Sequence, residues 1–289
     1  MKVAVLADAH GNWFGFSAAL ADAKRNRVDM VVSAGDMLAS FPGGPKILQA
    51  LIAERIPTVL GNADELLLKW WRADPTSILR TSPQFRPLQT SCARFAEAAF
   101  AEIAQWPLTQ LLTADERNVL LCHGTPKSNT RSIIDPDWSL GSDGIDGHDL
   151  DAVIAGHHHH HWSGMANKTL LALAGSCGLP CGGDTRAQYT ILDLARDGVH
   201  LQHQSVEYDR HQFIADLKAH DYVKQTAPIG WLELSQVVTA RPLMLYYFRN
   251  RFDATRGPDL EFLAWSVKEH LKEYGALASV EAEFGPLVI

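Results

Sequence analysis

Residues 1–12 read MKVAVLADAHGN, a β-prone apolar run followed by a polar loop. The run from Lys2 to Ala7 is apolar after its first residue, which is typical of a strand buried on both faces. It ends at Asp8-Ala9-His10-Gly11, and residues 13–27 then follow helical spacing, with Asn12 in the N-cap position. A strand, a polar loop and a helix in this order predict an α/β sheet whose site lies at the carboxyl ends of its strands.

The same combination of a short β-prone run and a polar end recurs along the chain. The later runs end at Gly35-Asp36, Gly61-Asn62, His123-Gly124 and Gly156-His157. Because the carboxyl ends of parallel strands meet at one edge of a sheet, we expect these distant side chains to lie close together. The candidate metal ligands at this edge are Asp8, His10, Asp36, Asn62, His123, His157 and His159.

This donor set has the composition that a site for two metal ions needs. Carboxylate together with imidazole suits divalent Mn, Fe, Zn or Co better than Mg. We therefore predict two divalent ions, with Mn as the first choice and Fe, Zn, Ni or Co as alternatives. Asp36 is the natural bridging carboxylate. Two ions about 3.5–4 Å apart can hold a phosphate and convert a shared water into a hydroxide nucleophile.

Five consecutive histidines occupy residues 157–161. Such a run resembles an expression tag, but it lies inside the chain, directly after a β-prone run and a glycine. Alternate residues of a strand-like stretch share a face. This spacing predicts His157 and His159 together at the metal site, with His158 on the other side in a supporting role. His160 and His161 are then surface or supporting residues.

In this order, the five blocks resemble the calcineurin-like metallophosphoesterase superfamily over about residues 1–210. They are D8-A-H10, G35-D36, G61-N62, H123-G124 and G156-H157-H-H159. The resemblance implies an α/β fold, a four-layer α-β-β-α sandwich of two mixed sheets. It implies one ion on Asp8, His10, Asp36 and His159, and a second ion on Asp36, Asn62, His123 and His157. A hydroxide bridging the ions would attack phosphorus, with Asp36, Asn62 and His123 as catalytic residues.

One position departs from the pattern of many superfamily members. They have a histidine directly after the asparagine of the third block, and this chain has Ala63. Alanine can neither protonate a leaving group nor hold a phosphate, and general acid catalysis is typically worth about 10²–10⁴ in rate. The smaller bacterial and archaeal phosphodiesterase-like branch also lacks this histidine, and residues 123–131 (HGTPKSNTR) and 183–194 (GDTRAQYTILDL) look similar to that branch.

We therefore expect hydrolysis of a small phosphodiester, such as a nucleotide. A phosphomonoesterase or protein phosphatase on the same site is the first alternative. A metal-binding interaction module without catalytic activity is the second alternative.

Other residues carry weaker predictions. Asn62 and Arg131 are candidate substrate contacts, and Asp64 is expected to orient a neighbouring ligand. His148 could replace the missing acid, or it could simply be solvated. Trp70 and Trp71 could form a base-stacking wall, although a packing role is the more common one for tryptophan.

The organisation along the chain is one main domain with additions. We predict a metallophosphoesterase domain over residues 1–210, with a helical insertion at 63–117 that covers the sheet edge. Residues 211–289 form a C-terminal extension that packs on the core or mediates self-association, so a homo-oligomer is expected.

Composition limits the partners. The chain has 26 Lys and Arg against 33 Asp and Glu, a net charge of −7, and no basic run. Stable binding to duplex nucleic acid is therefore not expected. Its four cysteines lack zinc-ribbon spacing. The absence of a signal peptide or a membrane-length apolar stretch predicts a soluble, cytoplasmic protein that does not bind membranes.

Overall fold

The computed structural model describes residues 1–143 and 150–289. Its strands are β1 (Lys2–Leu6), β2 (Met30–Ser33), β3 (Thr109–Ala114), β4 (Arg117–Cys122), β5 (Ala152–Ala155), β6 (His161–Ala166), β7 (Thr169–Ala174), β8 (Ala187–Ala195) and β9 (Gly198–Val206). They form two sheets with the strand orders β2-β1-β8-β9 and β3-β4-β5-β7-β6. Strand β1 is parallel to β2, and β5 is parallel to β4 and β7, whereas the other pairs are antiparallel. The predicted sandwich of two mixed sheets is confirmed.

The space between the two sheets is filled by small and branched apolar side chains. Val3 and Val5 of β1 belong to one buried cluster with Leu121 of β4, Ile154 of β5 and Leu192 of β8. Because the opposite face of β1 is also covered, four of its five residues are buried. Burial on both faces explains why this strand is a continuous apolar run in the sequence.

Helices cover the outer face of the first sheet. They are α1 (Trp13–Arg25), α2 (Gly44–Ala53), α3 (Asn62–Arg72), α4 (Ile78–Thr81), α5 (Arg86–Cys92) and α6 (Glu97–Ile103). Helix α1 begins where the sequence predicted it, since the Asn12 side chain accepts the N–H of Gly15 at 3.0 Å. Residues 57–60, expected as a strand, contribute only one bridge, between Thr58 and Ser33.

The predicted helical insertion at 63–117 is helical only in its first part. Residues 109–114 form β3, which pairs with β4 through a turn at Asp115 and Glu116, both with positive φ. Positive φ at both turn residues is the geometry of a type I′ hairpin. Strand β3 lies at the edge of the second sheet, and Leu112 is its only buried residue. It therefore has little of the apolar signal by which strands are recognised.

The outer face of the second sheet is covered by the segment after β4. Ile133 and Trp138 pack in one cluster with Val153 and Leu173 of the sheet, and a 3₁₀ turn follows at Gly141–Asp143. His148, considered above as a replacement acid, lies outside the described residues.

The C-terminal part of the chain is helical. Its helices are α7 (Arg210–Ala219), α8 (Tyr222–Gln225), α9 (Gly230–Thr239), α10 (Leu243–Asn250), α11 (Leu260–Glu273) and α12 (Leu277–Phe284). Their shared apolar cluster includes Phe41 and Leu179, which come from loops of the sandwich. The division of the chain at residue 210 stays a prediction. No helix in the described ranges is long and apolar enough to span a membrane.

Candidate metal centre

The loops after the strands hold the candidate ligands in an unusual backbone conformation. Positive φ angles between 48° and 73° occur at Asp8, His10, Asp36, His157 and His159. Non-glycine residues adopt such angles rarely, and they concentrate at functional sites. Gly35, with φ of +86°, could not be replaced easily, because a Cβ there would lie 2.7 Å from the backbone nitrogen of Gly61. The chain is thus bent sharply where it presents these side chains.

One group of donors forms around Asp8. The Nε2 atoms of His10 and His159 lie 3.1 Å apart, and His159 Nε2 lies 3.4 Å from Asp8 Oδ1. His159 Nδ1 donates to the carbonyl of Leu179 at 2.7 Å, which leaves the Nε2 lone pair directed at the group. The N–H of His157 donates to both oxygens of Asp8, at 3.2 and 3.0 Å.

A second group forms around His123. Its Nδ1 donates to the carbonyl of Ala34 at 2.7 Å, and its Nε2 lies 3.3 Å from Asp36 Oδ2. The end of the Asn62 amide that faces this group lies 3.0 Å from His123 Nε2 and 2.9 Å from His157 Nδ1. Asp36 Oδ2 is also 3.7 Å from His10 Nε2, so Asp36 lies between the two groups.

These distances fit divalent ions. Donor atoms about 2 Å from a shared ion lie roughly 3–3.5 Å apart, as most of these pairs do. Asp8 belongs to two candidate metal triads, one with His10 and His159 and one with Asp36 and His123, each with all ligand atoms within 4.8 Å. The structure thus brings all seven predicted ligands into one place, and their assignment to individual ions stays a prediction.

Three of the buried imidazoles are in the protonation state that binds cations. Burial lowers the pKa of His10, of His159 and of His157, the last to about 4, so these imidazoles are neutral at pH 7. Burial would raise the pKa of Asp36, but the charge of His123 and its hydrogen bond outweigh this effect and hold that pKa below its usual range. Burial, followed by the Asp36 carboxylate, raises the pKa of Asp8. A divalent cation would keep Asp8 ionised.

Residues around the ligands fix their positions. The buried carboxylate of Asp64 accepts the N–H groups of Met37 at 3.2 Å and Leu38 at 3.1 Å, directly after Asp36. Burial, and then the charge of Asp36, raises the pKa of Asp64 to about 7. Ala63 contributes its backbone, because its N–H donates to Asp36 Oδ1 at 2.7 Å.

The ligands open into a pocket of about 400 Å³. Beyond the ligands it is lined by Thr130, Ser132 and Asp135, by His158, and by Pro242, Met244, Leu245, Phe248 and Arg249 of the C-terminal region. His158 therefore lies on the same side as His157 and His159, and the expectation that it faces the other way is wrong. Residues 157–160 are not a strand, and the positive φ of His157 and His159 removes the alternation of faces.

Three further residues named in the sequence analysis are absent from this pocket lining. Arg131 is paired with Asp137 at 2.7 Å and would have to leave that pair to reach the ligands. Trp71 stacks on Phe100, with ring centroids 5.4 Å apart, and Trp70 lies beneath the guanidinium of Arg80. The tryptophans therefore pack within the helical layer. The role of Arg131 as a substrate contact stays a prediction.

One protein-family model matches more than half of the chain. The family model described as "Calcineurin-like phosphoesterase superfamily domain" matches residues 1–197. The chain belongs to the calcineurin-like phosphoesterase superfamily. The resemblance predicted from the five sequence blocks is confirmed, and the molecule is a calcineurin-like phosphoesterase with a candidate metal centre.

Solved structures share the fold of this calcineurin-like chain. A metallophosphoesterase from Sphaerobacter thermophilus is 19% identical with a TM-score of 0.62, and the match covers 76% of this chain and 94% of that one. A hypothetical protein from Pyrococcus horikoshii OT3 is 16% identical with the same TM-score, and the match covers 76% of this chain and 93% of that one. No curated protein matched the sequence.

Sequence reasoning missed the contribution of the C-terminal helices to this calcineurin-like centre. Gln236 of α9 donates to the carbonyl of Leu179 at 2.8 Å and to Cys181 Sγ at 3.0 Å, beside His159. Arg249 of α10 lines the metal-ligand pocket. Nothing in residues 230–250 marks these side chains as functional, since their placement depends on how the helices pack against the loops.

Proposed function

We propose that the chain is a metal-dependent phosphodiesterase that uses two divalent ions, Mn being the first choice. The supporting observation is the group of buried carboxylate, amide and imidazole donors around Asp36, at the base of a pocket of about 400 Å³. When bound, two divalent ions would neutralise the phosphate oxygens and acidify a water molecule to give the nucleophile.

The side chains of this pocket have separate tasks. Asp36 is ionised and lies between His10 and His123, so it is the candidate to be shared by both ions. Asn62 faces the same group and offers its amide to a phosphate oxygen. Arg249 is exposed and has no ion-pair partner in residues 1–143 and 150–289, so its guanidinium is available to a phosphate that lies over the ligands.

The preference for diesters over monoesters comes from residue 63. Ala63 is the second residue of α3, next to Asn62, and supplies only an N–H to Asp36. The chain thus lacks a proton donor at this position, and the absence penalises poor leaving groups. A phosphodiester also carries one negative charge less than a fully ionised monoester, which suits a pocket that includes the carboxylate of Asp135.

The test is metal-dependent turnover. The protein is stripped of metal and supplied in turn with Mn²⁺, Zn²⁺, Mg²⁺ or Ni²⁺, and hydrolysis of bis-p-nitrophenyl phosphate is compared with that of p-nitrophenyl phosphate. We expect a higher kcat/KM for the diester, lost in Asp36→Asn and retained in Asp115→Asn, a carboxylate in an exposed hairpin turn. Preference for the monoester would support a phosphomonoesterase. Absence of turnover with both ions bound would support a non-catalytic metal-binding module.

A further inference from the structure

A second pocket adjoins the metal centre on the side of Ala63. Its volume is about 290 Å³, and it begins at His10 and Asn62, which also line the metal-ligand pocket. Met244 and Phe248 of α10 line both pockets and so stand between them. A molecule bound at the metal ligands can therefore extend directly into this second pocket, which we call the apolar pocket.

The lining of the apolar pocket is dominated by hydrocarbon. The side chains include Leu66, Phe85, Leu88, Ile229, Met244 and Phe248, and no Lys or Arg lines it in the part of the chain that the structure describes. Its one carboxylate, Glu233, is already hydrogen-bonded, because Ser40 donates to one oxygen at 2.7 Å and Tyr222 donates to the other. The pocket thus favours an uncharged group over a second phosphate.

The size of the pocket indicates the size of that group. A cavity of about 150 Å³ is enough for a benzene ring. A volume of 290 Å³ therefore accommodates a group of one or two rings. Rings from Phe85, Phe248 and Phe252 around the pocket can pack against an aromatic guest by edge or face contacts.

Residue 63 lines the apolar pocket next to Asn62, which lines both pockets. Ala63 lies in the lining next to Asn62, and its small side chain leaves space where a larger one would meet the bound group. Its N–H contact to Asp36 is made by the backbone, so the size of the side chain can change without removing that contact.

We propose that the apolar pocket binds one uncharged aromatic arm of a phosphodiester whose phosphate lies at the metal centre. The proposal rests on the proposed function, since it gives the class of substrate for that site. Helix α10 then determines specificity, with Phe248 as the wall that separates the arm from the phosphate.

The experiment measures binding separately from turnover. Calorimetric titration of the Mn²⁺-loaded protein compares diphenyl phosphate with dimethyl phosphate, two esters with the same charge and without activated leaving groups. We expect diphenyl phosphate to bind at least about tenfold more tightly, because a ring leaves water for an apolar pocket. Phe248→Ala removes most of this advantage, and Ala63→Leu, which fills the pocket, weakens diphenyl phosphate binding without weakening dimethyl phosphate binding.

Tyr246→Ala is the matched control, because Tyr246 lies on the same helix, is 36% exposed and lines neither pocket. It should retain the preference for diphenyl phosphate. Equal affinity for the two esters, or no binding of either, overturns the assignment. Diester turnover without a preference for phenyl arms would leave the proposed function standing and contradict only this inference. A phenyl preference without any turnover would contradict the proposed function and leave the pocket assigned.

Discussion

The protonation of His123 results from two opposing effects. Burial would lower the pKa of His123, but the charge of Asp36 and its hydrogen bond outweigh burial and raise that pKa to about 9. A metal ligand must be the neutral imidazole. The metal-free protein at pH 7 therefore carries a proton on His123 that a bound ion must displace.

Metal binding should accordingly release a proton at pH 7, and metal affinity should rise as the pH is raised towards 9. Calorimetric titration with Mn²⁺ in two buffers of different ionisation enthalpy measures the number of protons released. The same titration on His123→Asn should show less proton release. Proton release that is unchanged in the variant, or an affinity independent of pH between 6 and 9, would contradict this reading of His123.

The buried carboxyl group of Glu233 links the stability of the fold to pH. Burial raises the pKa of Glu233, and its carboxyl group contacts Ser40 and Tyr222. A raised pKa in the folded state stabilises the fold below the unfolded pKa of about 4.3, and this contribution is lost as the pH rises through the folded value.

Glu233→Gln, which cannot ionise, should therefore gain in thermal stability relative to the natural chain as the pH is raised from 5 to 8. We expect the difference in Tm between the two chains to widen as the pH rises, because only the natural chain loses stability when Glu233 ionises. Thermal unfolding of both chains at pH 5 and pH 8 measures this difference. Glu283→Gln, at an exposed position, is the control. A difference in Tm that is constant with pH would show that Glu233 does not ionise in this range.

At the scale of single residues, the sequence predicted the metal ligands better than the side chains that contact substrate. The ligands follow short apolar runs, so their type and spacing point to a metal. The sequence predicts Arg131 as a candidate substrate contact and does not single out Arg249. Their difference arises from packing, because Asp137 pairs with Arg131 while α10 carries Arg249 to the pocket.

Among the C-terminal helices, α9 hydrogen-bonds to two segments that hold metal ligands. Glu233 and Gln236 lie three residues apart on it, close enough to share a helix face. Glu233 accepts a hydrogen bond from Ser40 in the loop after Asp36. Gln236 donates to the carbonyl of Leu179, which also accepts from His159. Helix α9 thus joins the two segments, although Ser40 and Leu179 precede their partners on α9 by 193 and 57 residues.

Removing the Gln236 contacts should loosen His159. Residues that hydrogen-bond to a metal ligand typically contribute 10–100-fold in metal affinity. Gln236 acts on His159 through the shared carbonyl of Leu179, so Gln236→Leu should weaken Mn²⁺ binding by about tenfold. Competition with a chelator measures the change. Gln225→Leu, at an exposed position of α8, is the matched control. Equal metal affinity in both variants would show that α9 packs beside the centre without positioning it.

Elements were predictable in proportion to their burial. Strands β1 and β5 are buried runs and stand out in the sequence, and so does α1 with its Asn12 cap. Strands β3 and β6 lie at the two edges of the second sheet, where few residues are buried. Their pairing depends on neighbours distant in sequence, which a local pattern does not contain.

At the scale of the whole molecule, the C-terminal helices and the sandwich share buried surface. Phe41 and Leu179 pack in the cluster of α7–α12, and Ser40 donates to Glu233 within it. A chain that ended at residue 209 would expose these side chains next to the metal ligands. Family membership predicts the sandwich, but it does not predict this additional packing.

The full chain should therefore unfold in one cooperative transition, and residues 1–209 alone should fail to do so. Calorimetry and circular dichroism of both chains check the prediction. We expect residues 1–209 to aggregate or to lack a sharp transition, whereas a chain lacking only the exposed Val288 and Ile289 should unfold like the natural one. A cooperatively folded 1–209 chain with natural metal affinity would show that residues 1–210 are an independent domain.

We propose that seven side chains from loops of both sheets hold two ions that share Asp36. Anomalous diffraction from crystals soaked in Mn²⁺ tests it most directly. We expect two peaks about 3.5–4 Å apart, one beside Asp8 and His159 and one beside Asn62 and His123, with Asp36 between them. A single peak, or two peaks that Asp36 does not join, would contradict it.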